Sequence, residues 1–154
     1  MIRVQAEDFD VGLELAGFGG PPGKAGAVCS FTGLVRDFSG GGDGRELSAM
    51  TLDHYPGMTE KQLAAIEAEA RQRWPLLDVL VIHRYGRLEA GDRIVLVATA
   101  SEHRDAAFDS CRFLMDWLKT KAPFWKVEHG EGGDSWVAAK AADDQAAERW
   151  GRGE

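Results

Sequence analysis

Cysteine is scarce in this sequence. Cys29 and Cys111 are the only two, far apart and in no C-x-x-C or Cys/His ligand spacing. That excludes a disulfide framework and a Cys/His metal site, and leaves two buried thiols as the reading. No apolar run approaches the roughly 20 residues needed to cross a bilayer. The opening MIRVQAEDFD carries acids where a signal peptide needs an apolar stretch, so a cytoplasmic location is expected. Positive charge is also in deficit, with 18 Lys and Arg against 25 Asp and Glu, a net charge of -7. Such a chain lacks the basic face of a general nucleic-acid binder, so neither nucleic acid nor membrane is an expected partner. Any cationic site must be local. What remains is ordinary for a globular protein: 154 residues, 44% hydrophobic and 28% charged. That is enough for one domain, 1–154, with a real core.

The spacing of apolar and turn-forming residues predicts a sequence of short elements. Met1 to Gln5 reads as a strand, and Val11 to Phe18 contains a brief helix. GFGGPPGKAG is a loop, punctuated by glycine and proline. It fails as a phosphate-binding P-loop, because Phe18 stands where the first glycine belongs and Ala25 where Ser or Thr should follow the lysine. AVCSFTGLVRD is a strand ending near Arg36, and LSAMTLDHY a second, expected antiparallel to it. From Thr59, the row Leu63, Ile66, Ala70 and Trp74 predicts a helix, with Thr59 and Gln62 as its capping box and Pro75 as its stop. LDVLVIHRYG and RIVLVATAS are apolar strands joined through EAGD. Ser101 is expected to cap a second helix running to about Lys121, with Phe108, Cys111, Met115 and Leu118 as its apolar stripe. Pro123 then forces FWKVEH into an extended segment. DSWVAAK is a last strand and DDQAAERW a terminal helix. The order predicts an α+β fold with mixed or antiparallel strands and two main helices covering one face.

Against the acidic background, LKTKAPFWKVE gathers Lys119, Lys121 and Lys126 around a proline and two large aromatics. On an unbroken helix Lys119 and Lys126 would sit about 10 Å apart along the axis. The break at Pro123 lets Lys126 turn back toward the helix end. Strand alternation puts Phe124, Lys126 and Glu128 on one face, and Trp125 and Val127 on the other. Cations in a last helical turn complement the dipole, which accounts for Lys119 or Lys121 taken singly. Lys126, on a strand among aromatics, has no such account. His103 and Arg104 open the same helix, where free N–H groups favour anions and a basic side chain opposes the dipole. Arg36 ends a strand beside a glycine-rich loop; spacing fits a ligand contact and an ion pair with Asp37 or Asp43 equally. His54 and His83 have no partner at ligand spacing and read as structural. No G-x-S-x-G elbow is present. A lysine near other cations has a lowered pKa and can move protons.

FTGLVRD, LDHYPGMTEK, RWPLLDVLVIHRYGRLEAGD, SEHRDAAF, FLMDWLKTKAPFWKVE, DSWV and DQAAERW together resemble the large, catalytic subunits of molybdopterin synthase, from about Val28 to Trp150. The resemblance implies an α/β-hammerhead-like fold and a homodimer within a heterotetramer. In that assembly a small ubiquitin-like sulfur-carrier subunit docks on each copy and inserts a C-terminal Gly-Gly thiocarboxylate. The implied activity is that of a sulfurtransferase of molybdenum cofactor biosynthesis, converting cyclic pyranopterin monophosphate to molybdopterin with no cofactor or metal. Carried over by position, the catalytic lysines are Lys119 and Lys126. The substrate contacts are Leu34, Val35, Arg36, His103, Arg104, Lys119, Lys126, Val127 and Glu128, with Lys140 contributed by a neighbouring subunit. Arg36, His103 and Arg104 would hold the phosphate. Lys119 would stand nearest the reacting carbons, and Lys126, oriented by Glu128, would meet substrate or the incoming tail. Lys121 and Lys140 stand where many relatives carry arginine, and Leu34 where lysine is common. Lysine at 140 keeps the charge without arginine's fork geometry. Two other classes remain open: a noncatalytic module binding the Gly-Gly tail, and a phosphate-metabolite enzyme without a partner. Joint presence of Lys119, Lys126, His103 and Arg104 favours catalysis, since tail capture needs fewer cations.

Overall fold

The computed structural model describes residues 1–36, 47–130, 133–137 and 141–151. The described elements in order are β1 (Ile2–Gln5), α1 (Val11–Ala16), β2 (Ala27–Leu34), β3 (Leu47–His54), α2 (Met58–Arg73) and β4 (Leu76–Arg84). They continue with β5 (Gly86–Glu89), β6 (Arg93–Ser101), α3 (Arg104–Thr120), β7 (Phe124–Gly130), β8 (Gly133–Val137) and α4 (Ala141–Glu148). The strands form two four-stranded sheets, in the orders β1-β4-β6-β2 and β5-β3-β7-β8. Among the described strands only β1 and β4 run parallel; the other pairings are antiparallel. This is the α+β arrangement expected from the order of elements, with α2 and α3 as its long helices.

The core explains the apolar runs. β4 and β6 pair at the centre of the first sheet, Val81 opposite Val97. Val79, Val81, Val95 and Val97 pack under Leu63, Ile66 and Ala70 of α2 and Cys111, Leu114 and Leu118 of α3. Leu80, Ile82, Leu96 and Ala98 face the other way, onto Phe9 and the α1 segment with Leu15 and Phe18. A strand covered on both faces needs apolar residues at every position, so the sequence shows a run and not an alternation.

Five expectations change. β3 does not pair with β2; it lies between β5 and β7 in the second sheet, because alternation specifies a buried face and says nothing about which strand lies alongside. β5, four residues long, is too short to have stood out in the sequence. The cap of α2 falls two residues early: Gly57 takes a φ of 84°, and the Glu60 carboxylate accepts from the Gly57 N–H at 2.7 Å. A positive φ suits glycine and strains threonine, and Thr59 lies inside the helix, fully buried. Ser101 belongs to β6 and donates its hydroxyl to the Pro75 carbonyl at 2.9 Å, so His103 takes the N-cap position of α3 without a side-chain capping bond. The row that α3 buries is therefore Ala107, Cys111, Leu114 and Leu118, and Phe108 is 61% exposed. Both rows have helical spacing, and packing on the sheet chose between them.

Candidate functional site

α3 begins where β6 ends and runs back over the sheet, so its two ends lie at opposite ends of the first sheet. Fifteen steps separate Arg104 from Lys119, which at about 1.5 Å each is roughly 22 Å along the axis. The strands agree with that separation. Ala27 of β2 pairs with Ser101, two residues before His103, whereas Leu34 pairs with Arg93 at the far end of the same ladder. Beyond it, Val35 is held by the β5–β6 turn: its N–H donates to the Asp92 carbonyl at 2.9 Å and its carbonyl accepts from Gly91 at 2.8 Å. Arg36 follows, exposed. Arg36 and Lys119 thus share one end of the sheet, and His103 and Arg104 occupy the other.

The Lys119 end is built around a sharp reversal. α3 stops at Thr120, the Lys121 N–H donates to Trp117 at 2.9 Å, and the Phe124 N–H donates to Ala122 at 2.8 Å across Pro123. β7 then pairs with β3, with Phe124 opposite His54 and Lys126 opposite Leu52. Directly opposed residues share a face. Phe124 and Lys126 therefore lie on the face of the second sheet that buries Met50, Leu52 and Leu88. Trp125 lies on the other face, its ring 4.5 Å from that of Tyr55. After the break at Pro123 the chain is extended, as expected, with Lys126 half-buried and Lys119 exposed.

Four rings join the two sheets, with Lys119 in electrostatic reach of one of them. The His83 ring of β4 stacks on Phe124 at 3.7 Å and 17°. His54 lies 4.4 Å from Tyr85 and 6.1 Å from Phe124. His83 Nδ1 is 2.8 Å from the Arg84 carbonyl, which fixes the tautomer with its proton on Nδ1. Burial pushes the His83 pKa down to about 4, with the nearby Lys119 ammonium and His54 adding to the effect and the Arg84 carbonyl opposing it. The imidazole is therefore neutral at physiological pH and lies within electrostatic reach of Lys119. This cluster was not foreseen, since both histidines read as structural; a histidine inside the apolar run VLVIH was the one available signal.

The other predicted site residues divide as follows. Leu34 is 54% exposed and Val35 buried. His103 and Arg104 are exposed, with His103 Nε2 3.9 Å from Glu102. The side chains of Val127 and Glu128, and Lys140 altogether, lie outside the described residues. A cavity of about 460 Å³ opens between α2, α3 and α4, walled by Arg73, Phe113, Trp117 and Trp150 among others, and none of the predicted site residues lines it. Cys29 and Cys111 are free thiols. Burial first, then the adjoining Cys29, raises the pKa of Cys111, so it stays protonated and a poor nucleophile. Among the described residues no cluster of three or more His, Cys, Asp or Glu side chains could hold a metal, and no helix is long and apolar enough to cross a membrane.

Comparison with known proteins places this arrangement among relatives. Residues 4–121 match the family described as MoaE protein. A molybdopterin synthase catalytic subunit of Cereibacter sphaeroides is 55% identical over 149 residues, covering 97% of this chain and 99% of the relative. A solved molybdopterin biosynthesis MoaE protein from Burkholderia ambifaria superposes with a TM-score of 0.82 at 50% identity, covering 99% of each chain. The crystal structure of molybdopterin synthase from Staphylococcus aureus superposes with a TM-score of 0.78 at 29% identity, covering 88% of this chain and 96% of that one.

Proposed function

This chain belongs to the MoaE protein family, and from that premise we propose that it is the catalytic subunit of a molybdopterin synthase, acting in the cytoplasm. It transfers sulfur to cyclic pyranopterin monophosphate from the C-terminal thiocarboxylate of a small ubiquitin-like subunit, each sulfur leaving a carboxylate on the donor. What supports the site assignment is that two lysines from separate elements are each linked to one cluster of rings. Lys119 comes from the end of α3, within electrostatic reach of His83, and Lys126 lies two residues beyond Phe124 on the same face of β7.

Lys119 stabilises negative charge developing at the reacting carbons and exchanges protons there. Lys126 meets the substrate or the incoming tail. Arg36, at the same end of the sheet, holds the phosphate. His103 and Arg104 lie roughly 22 Å from Lys119 along α3, too far to share a substrate with it in one chain. A second copy, with its own α3 antiparallel to the first, brings them into reach. The phosphate then bridges cations that would otherwise repel, which suits a site shared across a two-fold axis. Exposed Phe108, one turn from Arg104, gives that contact an apolar centre.

The test is reconstitution with a thiocarboxylated small subunit and cyclic pyranopterin monophosphate, reading molybdopterin formed. Wild-type protein is expected to turn over. Lys119→Ala should lose about 100-fold or more in rate with the heterotetramer intact, the scale for removing one charge-stabilising donor. Near-normal turnover in that variant would take Lys119 out of the chemical step.

A further inference from the structure

The roles above leave His83 without a task. It is 7% exposed near the end of β4, one of the two central strands of the first sheet, where an apolar residue would avoid the cost of burying an imidazole. Its surroundings are specific. The Arg84 carbonyl lies 2.8 Å from Nδ1, the Phe124 ring lies 3.7 Å away, and His54 of β3 and Lys119 of α3 face it. Tyr85, just past the end of β4, packs on His54.

We propose that His83 is a positioning residue for the two lysines: its ring, locked by the Arg84 carbonyl, clamps Phe124 and so fixes the strand that carries Lys126 beside Lys119. The argument is mechanical. Phe124 is the first residue of β7 after the Pro123 reversal, so the stack is the first side-chain anchor that strand meets. Lys126 follows about 7 Å further along on the same face. A ring without charge clamps Phe124 without repelling the Lys119 ammonium, which a cationic side chain at this position would do. The inference rests on the lysine roles given above. A misplacement of about 1 Å in such a constellation costs up to about 100-fold in rate.

The test compares His83→Asn, His83→Phe and Phe124→Leu in the reconstituted heterotetramer, with Lys119→Ala beside them. His83→Asn keeps a neutral donor for the Arg84 carbonyl and loses the ring. It should lower kcat about 10-fold or more while the KM for the pterin stays within about 3-fold, because the phosphate contacts are untouched. His83→Phe restores the stack and should recover kcat to within about 3-fold of wild type. Phe124→Leu removes the same stack from the β7 side, and its loss should not add to that of His83→Asn in the double variant. Wild-type kcat in folded His83→Asn, equal losses in His83→Asn and His83→Phe, or full additivity in the double variant each overturn the positioning role. If His83→Asn does not fold, Phe124→Leu alone decides: wild-type kcat refutes the clamp, and a lowered kcat at constant KM supports it. Wild-type turnover by Lys119→Ala refutes the lysine assignment instead, so the two failures are distinguishable.

Discussion

Acidification should strip stability from this fold through His83 in particular. In the unfolded chain an ordinary histidine binds its proton near pH 6.5, whereas burial holds the folded His83 down to about 4. Between those values the unfolded state binds more protons than the folded one, so stability rises with pH across the window and falls as the pH drops through it. The full contribution is present above about 6.5 and lost by about 4. A shift of this size corresponds to about 3 kcal/mol, at no more than about 1.4 kcal/mol per pH unit. That is a large share of the roughly 5–15 kcal/mol that holds a typical domain together. The measurement is urea unfolding of wild type and His83→Phe at steps from pH 7.5 to 4, at one protein concentration. Groups distant from His83 contribute equally to both proteins and cancel in the difference. His83→Phe should therefore gain on wild type by about 3 kcal/mol as the pH falls, whatever its stability at pH 7.5. Parallel curves would mean that His83 titrates normally in the fold, and the account of a buried neutral ring would be wrong.

Sharing of the site between copies predicts complementation. Arg104→Ala and Lys119→Ala, each inactive alone, should regain about one quarter of wild-type turnover when mixed and allowed to exchange subunits, since half the dimers then hold one intact site; no recovery on mixing would confine each site to one chain. Because the sulfur comes from the partner and Cys111 is held as a thiol, the Cys29→Ala/Cys111→Ala double variant should keep sulfur transfer once folded, and its loss in a folded protein would refute the partner-donor reading. Leu114 is fully buried between α3 and the first sheet, so Leu114→Ala should cost about 3 kcal/mol in chemical denaturation, and a cost below about 1 kcal/mol would mean that α3 packs less tightly than described.

The local elements could be read before the coordinates. Pro75 and Pro123 stop helices because proline lacks the N–H and clashes with the preceding turn, and α2 and α3 end within three residues of them. The α3 N-terminus was less legible. Ser101 has the right side chain for a cap, yet its hydroxyl is taken by Pro75, a residue 26 positions earlier that only the fold brings near. Phe108 was misplaced for a related reason, since two rows of α3 have helical spacing and only contact with β6 and β2 selects one.

The sequence by itself determined the fold class, the family and the identity of the unusual cations, because helical periodicity, proline breaks and a lysine stranded among aromatics are all local properties of the chain. Tertiary structure decided the rest. It placed β3 beside β7 and not β2, gathered His83, His54, Tyr85 and Phe124 into one cluster, and set Arg104 at the far end of α3. Ring stacking, burial and the proton equilibrium of His83 depend on residues tens of positions apart meeting in space, and no local pattern encodes such a meeting.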